Sequence, residues 1–504
     1  MKIKTTTFTL LLMAAILAII LSCAKYEIPT AELRFGFTTE PKTLDPLNPD
    51  NTADGRSILF NVFEGLVKPN TDGTFKPCIA ESWTIENNAL VYIFTLREGV
   101  QFHDGSFVTA DDVKFSIDTA IAANFYGLEK IDTVNIQGNQ IQVILKSADP
   151  DFLPYMTVGI VKAGNTQREK DITGTGPFYI ESYTSQKHLL LKRFDNYWQR
   201  FLEPPNEVPY LESVTIVFFA NFDPLMTSLR SGNIDGAWLT GTQIAQLDQN
   251  NFDFFYNYSS AVQMLALNNA ASPLDDINIR KAVNYGIDVQ EIIDAAFFGR
   301  GSHSGSPIIP GLSAYYEESL EYPFEPETAR TLLENAGFNR ENPFNFEITV
   351  PSNYIMHVDT AQVIAHQLKN IGINAAIKLV DWSTWLRDVY RERNYQATII
   401  SVDSSVVTPG GFLNRYYSGN GNNFINFAND DFDSVYNSLL TQSDSETRNQ
   451  LYREAQRIIT NNAASVFIQD ILYYNVFKKD VYAGAENYPL YVIDFSTIYR
   501  INEN

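Results

Sequence analysis

The run Thr398-Ile399-Ile400-Ser401-Val402-Asp403-Ser404-Ser405 closes an apolar segment on one carboxylate and several hydroxyls. Sheets built from alternating strands and helices bind small molecules beyond the carboxyl ends of their strands, so charge and donors at such an end point to ligand binding. Asp403, Ser401 and Ser404 are therefore candidate ligand-binding residues, with Ser405 beside them. Asn268, at the end of the apolar run Leu265 to Asn268, and Trp382, just after the run Ala375 to Val380, join them on the same ground.

Other chemistries find less support. The five histidines, His103, His188, His303, His357 and His366, form no HExxH motif, and none lies near paired cysteines. His357 and His366 are nine positions apart, not the four that place two ligands on one helix face. No metal centre and no cofactor is expected. The glycine-rich run Thr173-Gly174-Thr175-Gly176-Pro177-Phe178 lacks the downstream helix whose free amides a phosphate cradle needs, because Tyr179, Ile180 and Leu189 to Leu191 read as strand. No G-x-S-x-G elbow and no G-x-x-x-x-G-K-[ST] loop occurs. The 59 aspartates and glutamates leave room for a glycosidase-like acid pair, so a secreted enzyme stands as an alternative, and a surface adhesin or chaperone as a third.

The elements that must position the candidates alternate between strand and helix. Between Ala80 and Asp118, Tyr92, Phe94 and Leu96 fall on one face and Val91, Ile93 and Thr95 on the other, the period of a strand. His103-Asp104-Gly105 supplies a turn. Thr109 is an N-cap with Asp112 three residues on, a capping-box pattern, and Val113, Ile117, Ala120 and Ile121 give the following helix one apolar stripe. Further helices are expected over Ser57 to Leu66, Pro224 to Leu229, Val358 to Lys369 and Glu446 to Thr460. The segment PETARTLLENAGF has Pro326 at its start and Gly337 as its cap. Strands are expected at Leu33 to Phe37, Val214 to Phe219, Val466 to Ile468 and Leu472 to Val476, and a hairpin over Ile131 to Leu145. Such alternation defines an α/β fold.

The chain opens on Lys2 and Lys4, then an apolar run from Phe8 to Leu21 that is shorter than a bilayer span and is followed by Ser22-Cys23. A positive start and a short apolar stretch read as an export signal. Cys23 is the expected lipidation site, which leaves Cys78 alone between Pro77 and Ile79 and predicts no disulfide framework. The fold must therefore rest on its core, and 504 residues at 45% hydrophobic suffice for several domain-sized units. The formal charge of −22 becomes −24 once Lys2 and Lys4 leave with the signal. A surface of that sign disfavours nucleic acid and anionic lipid, and favours cationic or zwitterionic ligands.

The runs ESW, LREGVQFHDG and TADDVKFS resemble the signature of the extracytoplasmic solute-binding proteins of the oligopeptide, dipeptide and nickel group, which feed ABC importers. Glu64-Gly65-Leu66, the GTGPF run, Asn196-Tyr197-Trp198, the segment Pro273 to Ala282 and the PETARTLLENAGF helix match the same family in the same order. The resemblance implies a two-lobed periplasmic-binding-protein-like α/β fold with an additional subdomain. Its layout is a signal peptide over 1–22, a lipid-anchored tether over 23–34, lobe I over 35–60 and 176–285, the subdomain over 61–175, lobe II over 286–478 and a return to lobe I over 479–504. GTGPF would mark the return from the second lobe to the first.

The implied function is capture of a small solute, foremost an oligopeptide, and its delivery to an ABC permease and ATPase complex. Nickel complexes, oligosaccharides and opines are the non-peptide alternatives. A monomer tethered by lipid to the bacterial cell envelope, facing the periplasm or the cell exterior, is expected. Peptide-binding members carry an aspartate for the ligand's α-ammonium, and Asp403 is its counterpart. A comparable Leu-Asp-Pro loop passes beside the ligand in the family, which adds Asp50 and Asn51 to the candidates. Dipeptide binders have an arginine where this chain has Pro351 and Ser352.

Overall fold

The computed structural model describes residues 31–202, 208–339, 341–404 and 407–501. One lobe is built on a seven-stranded sheet, in the order Phe252–Asn257, Tyr473–Lys478, Gly236–Thr240, Glu32–Phe37, Ser213–Phe218, His188–Arg193 and Phe178–Thr184. Glu32–Phe37 runs parallel to both of its neighbours. A parallel strand in mid-sheet is covered on its faces, and Leu33, Phe35 and Phe37 are accordingly buried. The helix Phe222–Ser231 packs Leu225, Met226 and Leu229 onto one face and stops at Gly232, whose φ of +78° suits glycine.

The other lobe holds a six-stranded sheet, in the order Gly301–His303, Ser465–Ile471, Ala261–Leu267, Ala397–Asp403, Phe344–Pro351 and Ile373–Val380. Phe344–Pro351 lies parallel to both Ile373–Val380 and Ala397–Asp403. The helix Ile355–Asn370 makes the crossover that a parallel pair requires. Along Ala397–Asp403, Ala397 and Ile399 enter one core with Ile348, Val350, Ile364 and Leu368, while Ile400 and Val402 enter a second core with Phe412, Leu413 and Tyr452. The period of two thus feeds both faces of the sheet.

The chain crosses from the first sheet to the second between Asn257 and Ala261 and returns between Ile471 and Tyr473. Both crossings precede the boundaries expected at 285 and 478. Ala261–Leu267 is held in the second sheet by pairing with both Ala397–Asp403 and Ser465–Ile471. The return falls inside the run from Ser465 to Lys478, which contains neither glycine nor proline, so no local signal marks it.

A third unit sits on the first lobe and shares its core. It is an antiparallel sheet in the order Ala80–Glu86, Val91–Leu96, Gln140–Leu145 and Ile131–Gln137, packed by the helix Ala110–Ala122. The capping box forms: Asp112 Oδ2 accepts from the Thr109 backbone N–H at 2.8 Å, and Thr109 Oγ1 accepts from Asp112 N–H at 3.4 Å. Gly174 and Gly176 lie against the backbone of Asn61 and Val62, where a Cβ on Gly174 would meet the Val62 oxygen at 2.0 Å. The GTGPF run therefore leads from this unit into Phe178–Thr184 of the seven-stranded sheet and does not cross between the two lobes. The C-terminal segment comes back to the first lobe, where the Asn61 amide donates to Ile493 O at 2.9 Å and its oxygen accepts from Phe495 N–H at 2.7 Å.

Candidate functional site

Three parallel strands of the second lobe end side by side, and the residues just beyond those ends form an exposed aromatic surface. Pro351 pairs with Val380, so Tyr354 follows one strand and Trp382 the next. Trp382 stacks on Trp385 with centroids 5.0 Å apart and planes 4° off parallel, and Tyr354 meets it edge-on at 5.5 Å. The Trp385 indole N–H donates to Thr398 Oγ1 at 2.9 Å, which fixes the lower ring of the stack. Trp382, Tyr354, Ile355 and Leu379 are all exposed, an apolar patch of the kind that marks interaction sites.

Asp403 ends the third strand with its side chain exposed. It pairs with Ala261, the first strand residue after the crossing, and its carbonyl accepts from the Arg415 guanidinium at 2.9 Å. Ser401 lies on the same face and pairs with Gln263, and its hydroxyl is buried with no hydrogen-bond partner. Beneath them runs a buried polar belt. Gln469 Nε2 donates to Gln263 Oε1 at 2.8 Å, and Gln263 Nε2 meets His357 Nδ1 at 3.0 Å. An amide nitrogen only donates, so Nδ1 accepts and the imidazole proton resides on Nε2. Burial pulls the His357 pKa down to about 4, which keeps the ring neutral. Tyr354 packs on that ring at 5.4 Å, linking the belt to the aromatic wall.

The first lobe holds a second cluster of rings with an acid, beside the return crossing. Asp54, in the first turn of the helix Ala53–Leu59 that Thr52 caps, accepts from the Tyr491 hydroxyl at 2.7 Å. Burial raises its pKa, and the hydrogen bonds from Tyr491 and Thr39 oppose that rise. Tyr491 stacks on Trp238 with centroids 4.3 Å apart, and Tyr473, the first residue past the return crossing, stands edge-on to both. The Trp238 indole N–H is buried without a partner. Donors, acceptors and flat apolar rings in each of the two clusters suit a small ligand carrying both charge and apolar groups. Among the described residues no group of three or more His, Cys, Asp or Glu comes together to hold a metal.

The remaining candidates have other places. Asn268 sits at the far end of its strand from Asp403, since Leu267 pairs with Ala397. Its amide donates to Arg393 O and Tyr395 O, and its oxygen accepts from Ala270 N–H and Asn426 Nδ2, so its bonding capacity is spent inside the lobe. Asn51 is also buried, accepting from the Lys42 and Thr52 N–H groups and donating to Thr43 O; it staples its own loop. Asp50 is exposed, 3.7 Å from Lys42 Nζ. Ser404 follows Asp403 directly, whereas Ser405 and Cys23 lie outside the described residues. Tyr354, Gln263, Asp54, Trp238 and Tyr491 were not anticipated. For Tyr354 the signal existed, an aromatic three residues past the apolar run that ends at Pro351.

Two α/β lobes with separate cores and two neighbouring crossings define a two-lobed periplasmic-binding-protein-like fold with an additional subdomain. The chain belongs to the bacterial extracellular solute-binding proteins, family 5, whose middle-region model matches residues 74–424. It is similar to heme-binding protein A of Haemophilus influenzae, 25% identical over 456 residues and covering 80% of each chain. It is also similar to the glutathione-binding protein GsiB of Salmonella paratyphi A, 26% identical, covering 83% of this chain and 84% of that one. Among solved structures, the periplasmic murein tripeptide-binding protein MppA in its unliganded open form superposes with a TM-score of 0.82 at 19% identity, covering 94% of this chain and 98% of that one. The chain is thus an extracytoplasmic substrate-binding protein of an ABC importer. Among the described residues no helix is long and apolar enough to cross a membrane.

Proposed function

We propose that the protein captures a short oligopeptide between its lobes, with Asp403 receiving the α-ammonium and Trp382 and Tyr354 receiving an apolar side chain. The observation that carries this reading is an exposed carboxylate at a strand's carboxyl end, beside the crossing and next to the unpartnered Ser401 hydroxyl. Relatives named for glutathione and for a murein tripeptide support it. Cys23 carries the lipid that holds the protein, as a monomer, at the cell envelope. No turnover accompanies binding.

A second reading replaces the peptide by a flat apolar solute. It is favoured by the exposed patch of Trp382, Ile355 and Leu379 and by the relative named for heme. A thermal-shift screen with tripeptides, heme, sugars and nickel complexes separates the two. A ligand that binds only the folded state adds about 2.7 kcal/mol at a hundredfold excess over Kd. A shift with tripeptides alone supports the first reading, a shift with heme alone supports the second, and conversion of any ligand seen by mass spectrometry overturns both.

A further inference from the structure

Asp151 belongs to the additional subdomain, yet its carboxylate is satisfied by the other lobe. The Tyr452 hydroxyl donates to Oδ1 at 2.5 Å and the Gly410 N–H to Oδ2 at 3.1 Å. Tyr452 sits on the helix Ser445–Asn461 and Gly410 in the first turn of Pro409–Leu413, both packed in the second lobe's core. From its own side Asp151 is merely held in shape, its N–H donating to Asp149 Oδ1 at 3.0 Å. Asp149 itself is held by Lys130 at 2.6 Å.

The socket is fitted to the carboxylate. A Cβ at Gly410 would lie 2.0 Å from Asp151 Oδ2, so no larger residue there leaves room for it. Tyr92 and Tyr452 are fully buried around it, Tyr315 and Tyr436 pack nearby, and burial raises the Asp151 pKa while the Tyr452 hydrogen bond and the Arg448 charge oppose that rise. A neighbouring contact, Ala314 N–H to Asp72 O at 3.2 Å, joins the same two bodies. The covalent links between the two sheets are the crossings at 257–261 and 471–473, and Asp151 adds a non-covalent tie between the lobes. The half-buried carboxylate keeps these donors while docked and takes its donors from water when it parts from them.

We propose that Asp151 is a latch: it touches no solute, and its docking on Gly410 and Tyr452 sets the balance between the subdomain and the second lobe in contact and the two parted, and so the residence time of whatever is captured. The inference rests on the reading of the chain as a solute binder whose lobes close, a hinge motion known for two-lobed proteins.

The test places spin labels on the ligand-free protein at two exposed sites, Asp132→Cys in the subdomain and Asn437→Cys in the second lobe, and measures their separation by electron–electron resonance. The parent should populate the separation of the docked state. Asp151→Ala and Gly410→Ala should each lower the docked-to-parted ratio at least tenfold, and Tyr452→Phe, which removes only the hydroxyl, by less. Far-UV circular dichroism checks folding; if Asp151→Ala unfolds the subdomain, Gly410→Ala decides alone. Tri-alanine serves as the binding probe, and its dissociation should speed up at least tenfold in the same variants. An unchanged distance distribution in Gly410→Ala, or a parent that never shows the docked separation, overturns the latch. A parent that fails to bind tri-alanine overturns the peptide reading and leaves the distance result standing.

Discussion

The Asp470 carboxylate accepts both the backbone N–H and the hydroxyl of Ser259, at 2.8 and 2.6 Å, and so ties the strand leaving the second lobe to the linker entering it. Nearby, Ser260 donates its hydroxyl to Pro489 O at 2.9 Å, which adds the C-terminal segment to the hinge. Asp470 is fully buried, and burial pushes its pKa up to about 7, with the Ser259, Ser260 and Ala261 hydrogen bonds opposing the rise. Tyr258 and Tyr473 are the titratable groups that sense its charge.

The folded-state value of Asp470 lies above that of an unfolded aspartate, about 3.9, so the folded chain holds the proton to higher pH. The resulting stabilisation is present in full below about pH 4 and is lost as pH rises through 7, at up to about 1.4 kcal/mol per unit. Asp470→Asn should flatten the fall in the urea midpoint over that window relative to the parent. Parallel midpoint curves for parent and variant would show that Asp470 titrates as it does in water.

Much of the local structure was legible because its causes are local. Thr109 and Asp112 cap a helix with their own side chains, and Pro326 and Gly337 bound another through their backbone preferences. Asp403 stood out as a candidate because an apolar run ends on an acid. The bonding of Asn268 and Asn51 was not legible for the converse reason: an amide's partners are carbonyls brought up by folding, such as Arg393 O and Tyr395 O for Asn268. Asp470 went unnoticed inside an apolar run for the same reason, since Ser259, 211 residues away, is what makes its burial tolerable.

Lys68 and Asp494 form an ion pair at 2.7 Å with side chains 8% and 2% exposed. Burial works against the Lys68 charge, and Asp494 outweighs it, so the lysine pKa is raised and that of Asp494 is lowered. Glu64, whose pKa burial raises, is also eased by Lys68. Lys68→Met should therefore destabilise by about 3 to 5 kcal/mol, because it strands two buried acids. Adding Asp494→Leu should recover part of the loss in urea unfolding. A single variant within 1 kcal/mol of the parent, on the order of surface-pair values, would mean that water reaches the site.

Trp382 is predicted to contact the ligand by its exposed face while Trp385 supports the other. An aromatic contact of this kind is worth about 0.5 to 1.5 kcal/mol, so Trp382→Ala should weaken binding roughly two- to tenfold. Ligand-induced change in tryptophan fluorescence should shrink with it. Undiminished affinity and fluorescence change in the variant would remove Trp382 from the site.

Cys23 is predicted to carry a lipid, since it follows a signal-length apolar run directly. Each buried methylene is worth about 0.8 kcal/mol, which is what holds an acylated chain at a bilayer. Cys23→Ala should release the protein in soluble form and abolish labelling by radioactive palmitate. Persistent labelling of the variant would place the modification elsewhere.

Asp403 bears the most specific expectation. A peptide's α-ammonium enclosed between lobes is cut off from water, and an unpaired charge there is costly, so an acid must meet it. Asp403 stands where such a group would lie, at the strand end beside Ala261, with the Ser401 hydroxyl next to it on the same face. Removing one partner of an enclosed, hydrogen-bonded charge pair costs about 2 to 5 kcal/mol, so Asp403→Asn should weaken tri-alanine binding roughly thirtyfold or more while leaving the unfolding midpoint in place. N-acetyl-tri-alanine should bind the parent as weakly as tri-alanine binds the variant. Asp54, in the first lobe, is the competing acid, and its bond from Tyr491 already uses part of its capacity. Calorimetry on Asp403→Asn and Asp54→Asn together assigns the role: a loss confined to Asp54→Asn would move the ammonium site to the first lobe.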